Sequence, residues 1–360
     1  MIIIARAPAC LILGGESTDQ LAFYQSHGGM TVSATINYYV YTTLTSHAIK
    51  GFQILSADYR YLRQQPYHDS SFRENDIELI RAISNYFQIQ NGLRVFLASQ
   101  IPPGAGLGRM GSTMVSITKA LAFWCGLDLE PASVADLACI AQTTPSVGKQ
   151  AQYAAAFGGL NAITFDRSGV TVEPLQMSIE TRQRLREGLM LFFFTGVSPQ
   201  SSSTPQHQKQ ASEQEDLAIL QGLEKIKNLS LDIREALTSG DFPAFGELLH
   251  RSWVQKRQLA PDITNPRIDQ YYEAAREQGT LGGKIIGSGD RGFLMLYCPK
   301  ERQSAVKRSL EGLGLIYYPF ALEPEGVQIM QAQTWERSSL FQTAFEQREM
   351  LQSVSNSAAR

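Results

Sequence analysis

The stretch Pro102-Pro103-Gly104-Ala105-Gly106-Leu107-Gly108-Arg109-Met110-Gly111-Ser112-Thr113 constrains this chain more than any other. Glycine stands at positions 104, 106 and 108, so the backbone there reaches conformations closed to other residues and can approach a ligand closely. An apolar run over residues 93–97 precedes it and reads as a strand. A helical pattern follows from about Gly111, with Ile117, Leu121 and Trp124 on one face and Gly126 as its stop. Strand, glycine loop and helix in that order bring N–H groups and a positive helix end to one place, which suits anionic oxygens. Ser112 or Thr113 adds a hydroxyl able to hold Mg²⁺. The stretch has neither the Gly-Lys-Ser/Thr ending of a Walker A loop nor the spacing of a dinucleotide fingerprint. Taken alone, it also fits an ordinary glycine-rich turn.

Three further segments suggest chemistry. Arg6-Ala7-Pro8 is followed by Gly14-Gly15-Glu16-Ser17-Thr18-Asp19. Asp19 either accepts hydrogen bonds from neighbouring sugar hydroxyls or caps a helix over residues 20–24. Gly148-Lys149-Gln150-Ala151-Gln152-Tyr153 opens a run that ends at Gly158-Gly159. Gly287-Ser288-Gly289-Asp290-Arg291-Gly292-Phe293 precedes an apolar strand. Each segment by itself is a turn or a helix start.

At 360 residues the chain exceeds what one core usually supports, which predicts two packed units. We expect a first domain over residues 1–197, a flexible linker over 198–212, a second domain over 213–330 and a helical tail over 331–360. Short strands are expected at residues 2–4 and 11–13, on either side of Pro8. Lys+Arg is 32 against Asp+Glu 34, a net charge of -2. Such a balance provides no whole-protein field for nucleic acid or anionic membrane, and neither is expected as a partner. No apolar run approaches the ~18 residues needed to span a bilayer. The four cysteines are scattered without a Cys-x-x-Cys pair, so reduced thiols in a cytoplasm are the simple reading.

Together the four segments resemble the GHMP kinases, and most of all the D-glycero-D-manno-heptose 7-phosphate kinases. The likeness runs from about residue 4 to residue 325 and includes Asn265-Pro266-Arg267-Ile268-Asp269 and Leu281-Gly282-Gly283-Lys284. It implies an α+β fold of two domains: an N-terminal one like ribosomal protein S5 domain 2 and a ferredoxin-like C-terminal one. It also implies phosphoryl transfer from ATP to a sugar or sugar phosphate. The nucleotide would lie on Pro103, Gly104, Ala105, Gly106, Leu107, Gly108, Gly111, Ser112 and Thr113, with Ser112 on Mg²⁺. The acceptor would lie among Gly15, Glu16, Ser17, Thr18, Asp19, Lys149, Gln150, Tyr153, Gly287 and Gly289. Whether the chain pairs as a homodimer stays open.

The departures from the family fall on its chemistry. Cys10 stands where the family has an arginine, and Ala151 where it has an aspartate. Ala141 aligns with its glutamate and Ala105 with its loop serine. Arg109-Met110 replaces small polar residues, and Asp290-Arg291 replaces two glycines. Arg109 or Arg291 can supply the lost cation, and Asp290 the lost carboxylate. Three readings therefore stand: a kinase with a rearranged site, a homologue that binds or regulates without transfer, and a different reaction on the same fold.

Overall fold

A computed structural model describes residues 2–47, 51–57, 61–65, 75–89, 92–140, 148–196, 217–259, 264–287 and 291–333. Its larger sheet is built on two long antiparallel strands, β1 (Ile2–Gly14) and β2 (Gly29–Ser46). The two short strands expected around Pro8 are one strand. Pro8 sits where the register shifts, between Pro8 and Ala9, and an irregularity is where an interior strand tolerates a residue without an N–H. The faces switch at the same point. Ile3, Ala5 and Ala7 join one core, Ala9, Leu11 and Leu13 join another, and Cys10 returns to the first.

Beside the second half of β2 lies β5 (Leu93–Ser99), with β3 (Phe52–Ser56) parallel to β5 and β4 (Tyr61–Gln65) beyond it. The first half of β2 pairs with β6 (Leu160–Asp166), and β6 with β7 (Gly169–Pro174). Helix α1 (Leu21–His27) joins β1 to β2. One face of the sheet is covered by α2 (Asn75–Tyr86), α3 (Arg109–Trp124), α4 (Pro131–Ile140) and α5 (Gln150–Phe157), with Val115, Ile117, Leu121 and Ala154 in the core between.

Helix α6 (Ile179–Gly188) leads into a second, four-stranded sheet. Its order is β11 (Ile316–Tyr317), β8 (Leu189–Thr195), β10 (Arg291–Tyr297), β9 (Gly282–Ile286), all antiparallel. Leu191, Phe293 and Met295 face the core shared with β1, β2, α7 (Leu217–Ser239) and α8 (Phe242–Leu259). Phe192, Phe194, Leu294 and Leu296 face α9 (Pro266–Glu277) and α10 (Gln303–Gly312). Burial on both faces explains why residues 189–194 read as a continuous apolar run.

That run misleads about domain limits. β8 falls inside residues 1–197, yet it pairs with β10 and β11 of the second sheet. β12 (Gln328–Gln333) returns to pair with β1. Residues 331–333, expected in a helical tail, therefore end a strand. An apolar run names no partner strand, so sequence alone could not place either one. The expected linker, Ala141, Gly289, Asp290 and the tail beyond residue 333 lie outside the described residues. Among the described residues no helix is long and apolar enough to cross a membrane.

Candidate active site

The glycine loop joins β5 to α3 through a run of left-handed backbone. Gly104, Gly106 and Gly108 have φ of 75°, 90° and 68°, and Leu107 has 55°. Burial alternates along it. Ala105 and Leu107 are buried in the core shared by the two sheets, while Gly104 is exposed and Pro103, Gly106 and Gly108 are partly so. The side chain of Leu107, fixed in that core, holds a conformation that costs ~1–3 kcal/mol for a residue with a Cβ. Gly106 rests on the second sheet: a Cβ there would lie 2.9 Å from Gly287 N and 3.0 Å from Ile286 Cγ2. Gly287, at φ 121°, is confined in turn, with 3.2 Å from its own Cβ position to Ala105 O. Two glycines in contact thus close the loop against β9.

The loop's amides are largely left out of the backbone hydrogen bonding. Among the described residues the N–H groups of Gly104, Gly106, Leu107 and Gly108 donate to no backbone carbonyl, whereas Leu107 O accepts the Cys10 N–H at 3.0 Å. N–H groups without backbone acceptors at the start of a 16-residue helix have the chemistry of an anion cradle. Arg291 extends over its mouth, with Cδ 3.9 Å from a Cβ built on Gly104. Ser112 and Thr113 do not face the cradle. Both are buried; the Ser112 hydroxyl donates to Pro8 O at 2.7 Å and the Thr113 hydroxyl to Arg109 O at 2.9 Å. The Ser112 proton is committed to the β1 backbone, so the expected contact with Mg²⁺ would fall to the lone pairs of its oxygen. Among the described residues no three His, Cys, Asp or Glu side chains gather as a metal-binding group, so these side chains do not by themselves build a cage for that ion.

Behind the loop the family's charges are replaced by packing. A Cβ on Gly108 would lie 2.3 Å from Cys10 Sγ and 3.3 Å from Ala151 Cβ, and one on Gly111 would lie 2.7 Å from Ala151 Cβ. Cys10, Gly108, Gly111 and Ala151 therefore fill one close contact between β1, α3 and α5. Burial, with the Asp19 carboxylate nearby, pushes the Cys10 thiol up to about 12, and it carries no charge at neutral pH. Arg109 opens α3 as a buried residue at 8% exposure.

The turn after β1 is held by its side chains. Gly15 (φ 83°) could carry no Cβ, which would lie 1.8 Å from Met30 O. The Thr18 hydroxyl lies 2.7 Å from Gly15 O and 3.0 Å from Met30 O, and it accepts the Met30 N–H. Thr18 ties the turn to β2 and is not presented to a ligand. Glu16 forms a buried ion pair with Lys284 of β9. Burial alone would raise the Glu16 carboxyl; the Lys284 ammonium outweighs it and holds the group below its ordinary value. Ser17, at φ 70°, is the partly exposed member of the turn. Asp19 is 1% exposed; its Oδ2 accepts the Gln150 N–H at 2.8 Å, and its Oδ1 has no hydrogen-bond partner. Gln150 Oε1 is likewise buried and unpartnered.

Lys149 and Tyr153 turn the other way. Lys149 Nζ lies 5.5 Å from the Tyr24 ring centroid, and the Tyr24 hydroxyl raises its pKa against the opposing effect of burial. Tyr153 is buried, packs edge-on against Phe165 and donates its hydroxyl proton to Asp136 of α4. Tyr153 is thus a core residue and not an acceptor contact. Sequence reasoning met Lys284 only within a family-like segment, without a role, and gave none to Asp136 or Tyr24. A lysine inside the run Gly-Gly-Lys-Ile-Ile signals a buried cation; nothing in the sequence marks Asp136 or Tyr24.

Two segments match family models: residues 77–159 match the GHMP kinases N-terminal domain, and residues 233–314 the GHMP kinases C-terminal one. The first spans the phosphate loop and α5; the second spans Lys284, Gly287 and Arg291. A D-glycero-alpha-D-manno-heptose 7-phosphate kinase of Campylobacter jejuni is 27% identical over 91% of this chain and 98% of its own. A mevalonate kinase of Thermococcus gammatolerans is 24% identical over the same shares. Among solved structures, a D-glycero-D-manno-heptose 1-phosphate kinase from Bacteroides thetaiotaomicron superposes with a TM-score of 0.73 at 25% identity, covering 92% of this chain and 100% of that one.

Proposed function

This chain belongs to the GHMP kinases, and from that premise we propose that it transfers the γ-phosphoryl group of ATP-Mg²⁺ to a hydroxyl of a sugar or sugar phosphate. The observation that carries the reading is the row of N–H groups at Gly104, Gly106, Leu107 and Gly108 that donate to no backbone carbonyl among the described residues, backed by the α3 N-terminus. Phosphoryl transfer asks a protein mainly to position its reactants and to neutralise charge, and a fixed amide cradle does both for the nucleotide's phosphates. Mg²⁺ arrives here as part of the nucleotide substrate. Arg291 supplies the cation that Cys10 cannot, from the mouth of the loop instead of its back. The acceptor lies against Ser17, Asp19 and Gln150, whose buried unpartnered oxygens suit hydroxyl donors. Full-length similarity to the heptose 7-phosphate kinase of Campylobacter jejuni favours a phosphorylated heptose. The four free cysteines agree with a cytoplasmic enzyme.

A second reading draws on the packed contact of Cys10, Gly108 and Ala151: a homologue that binds nucleotide without transferring phosphate. One experiment separates the two. Calorimetric titration with ATP-Mg²⁺ is followed by a coupled ADP-release assay over a panel of sugar phosphates. Binding with acceptor-dependent ADP release is expected. Binding without release at any Mg²⁺ concentration selects the second reading, and absence of nucleotide binding overturns both.

A further inference from the structure

With Ala151 in place of the family's aspartate, the acceptor hydroxyl needs another proton acceptor. We propose that Asp19 takes that role. The inference rests on the kinase reading and adds to it a catalytic residue on a different element. Asp19 abuts the vacated position, because its Oδ2 accepts the N–H of Gln150, the residue immediately before Ala151. One oxygen is thereby anchored at the N-terminus of α5, an eight-residue helix. The other, Oδ1, is buried with no hydrogen-bond partner. Gly148 packs directly on this carboxylate, where a Cβ would lie 1.9 Å from Oδ2 and 2.4 Å from Oδ1, so only a residue without a side chain fits beside it. Two neighbouring carboxylates are engaged elsewhere, Glu16 with Lys284 and Asp136 with Tyr153.

The step balances simply. As the acceptor oxygen bonds to the γ-phosphorus, its proton passes to Asp19 Oδ1. The bond from γ-phosphorus to the β–γ bridging oxygen breaks, and ADP leaves with that electron pair. Asp19 later loses the proton to water. Removal from water is the main influence on this carboxyl and raises it to about 6, within reach of a neutral cytoplasm. The titratable groups around it are the Cys10 thiol on β1, Glu16 in the same turn, Cys139 on α4 and Lys149 before α5. Burial pushes both thiols up to about 12, so they stay neutral and Asp19 titrates beneath them.

The test compares kcat against pH for the wild type, Asp19→Asn and Asp19→Glu, with the acceptor found in the panel and ATP-Mg²⁺ affinity measured alongside. Wild-type kcat should rise through about pH 6 and level off. Asp19→Asn should bind nucleotide as the wild type does, lose ~10²–10⁴-fold in kcat, and lose the acid limb. Asp19→Glu should retain more activity, with the limb displaced. Should Asp19→Asn fail to fold, the Glu variant decides: an acid limb identical to that of the wild type overturns the role. A residual Asp19→Asn rate that keeps the wild-type limb does the same, leaving Asp19 a positioning residue in a working kinase. A wild type inactive on every acceptor at every pH overturns the kinase reading itself.

Discussion

The glycine loop and the turn after β1, proposed to hold phosphate and acceptor, are built from opposite materials. The loop turns its side chains inward, Ala105 and Leu107 into the core, and offers only backbone to the outside. The turn uses buried charge, with Glu16 paired to Lys284 and Asp19 capped by Gln150. Amide recognition survives changes of side chain as long as the backbone path holds, so the loop tolerates Ala105 where relatives carry serine. Charge chemistry does not survive them, because each buried ion depends on a named partner. On the proposed function, the substitutions at Cys10 and Ala151 should therefore bear on transfer and leave nucleotide binding in place.

The harshest test of this contrast is the buried pair. Lys284→Met leaves the Glu16 carboxyl buried without its partner, and should cost ~3–5 kcal/mol in urea unfolding. Glu16→Leu combined with Lys284→Met should recover most of that loss, since two apolar side chains replace the pair without stranding a charge. A double variant no more stable than the single one would show that the ion pair does not fasten the turn to β9.

Asp19→Asn probes the same turn with the opposite sign. The folded-state carboxyl sits at about 6, above its ordinary 3.8. The native state therefore binds the extra proton between those values, and stability falls as pH rises through that window. Above it the whole cost of burying the ionised group remains, about 3 kcal/mol for a displacement of this size. Asp19→Asn should be more stable than the wild type by up to about that amount at pH 7 and nearly equal to it at pH 4, measured by unfolding at both pH values. Equal stability at pH 7 would mean that Asp19 is not held ionised against its surroundings. A residue whose removal stabilises the fold while abolishing turnover is retained for chemistry.

Much of this was legible in the sequence. The glycine loop, its flanking strand and its helix follow from spacing, because left-handed backbone needs glycine and helices repeat every 3.6 residues. Leu107 is the exception, a left-handed residue that only its burial explains. Family motifs brought Asp19 and Gln150 to one place, and the structure joins them by a hydrogen bond. The direction of side chains was not legible. Thr18, Ser112 and Tyr153 stand inside ligand motifs, yet they spend their hydroxyls on Met30, Pro8 and Asp136. The sheet to which β8 belongs was hidden too, since pairing is a long-range choice that local apolarity does not encode.

Arg291→Ala has the smallest expected effect and isolates the one charged side chain this reading gives the loop. The arginine stem passes 3.9 Å from the Cβ position of Gly104, at the open end of the cradle, where the family carries glycine. A partly solvated cation near phosphate oxygens contributes ~1 kcal/mol at the dielectric of bulk water, which amounts to about a fivefold weaker affinity for ATP-Mg²⁺ when it is removed. Salt should narrow the difference between variant and wild type, because exposed charges are screened within about 10 Å at 0.1 M. The backbone cradle is unaltered by the substitution, so binding should weaken without disappearing. If Arg291→Ala abolished nucleotide binding, the loop would depend on side-chain charge as the acceptor turn does. If it changed neither affinity nor its salt dependence, the cation missing at Cys10 would have to come from elsewhere, with Arg109 at the start of α3 as the next residue to replace.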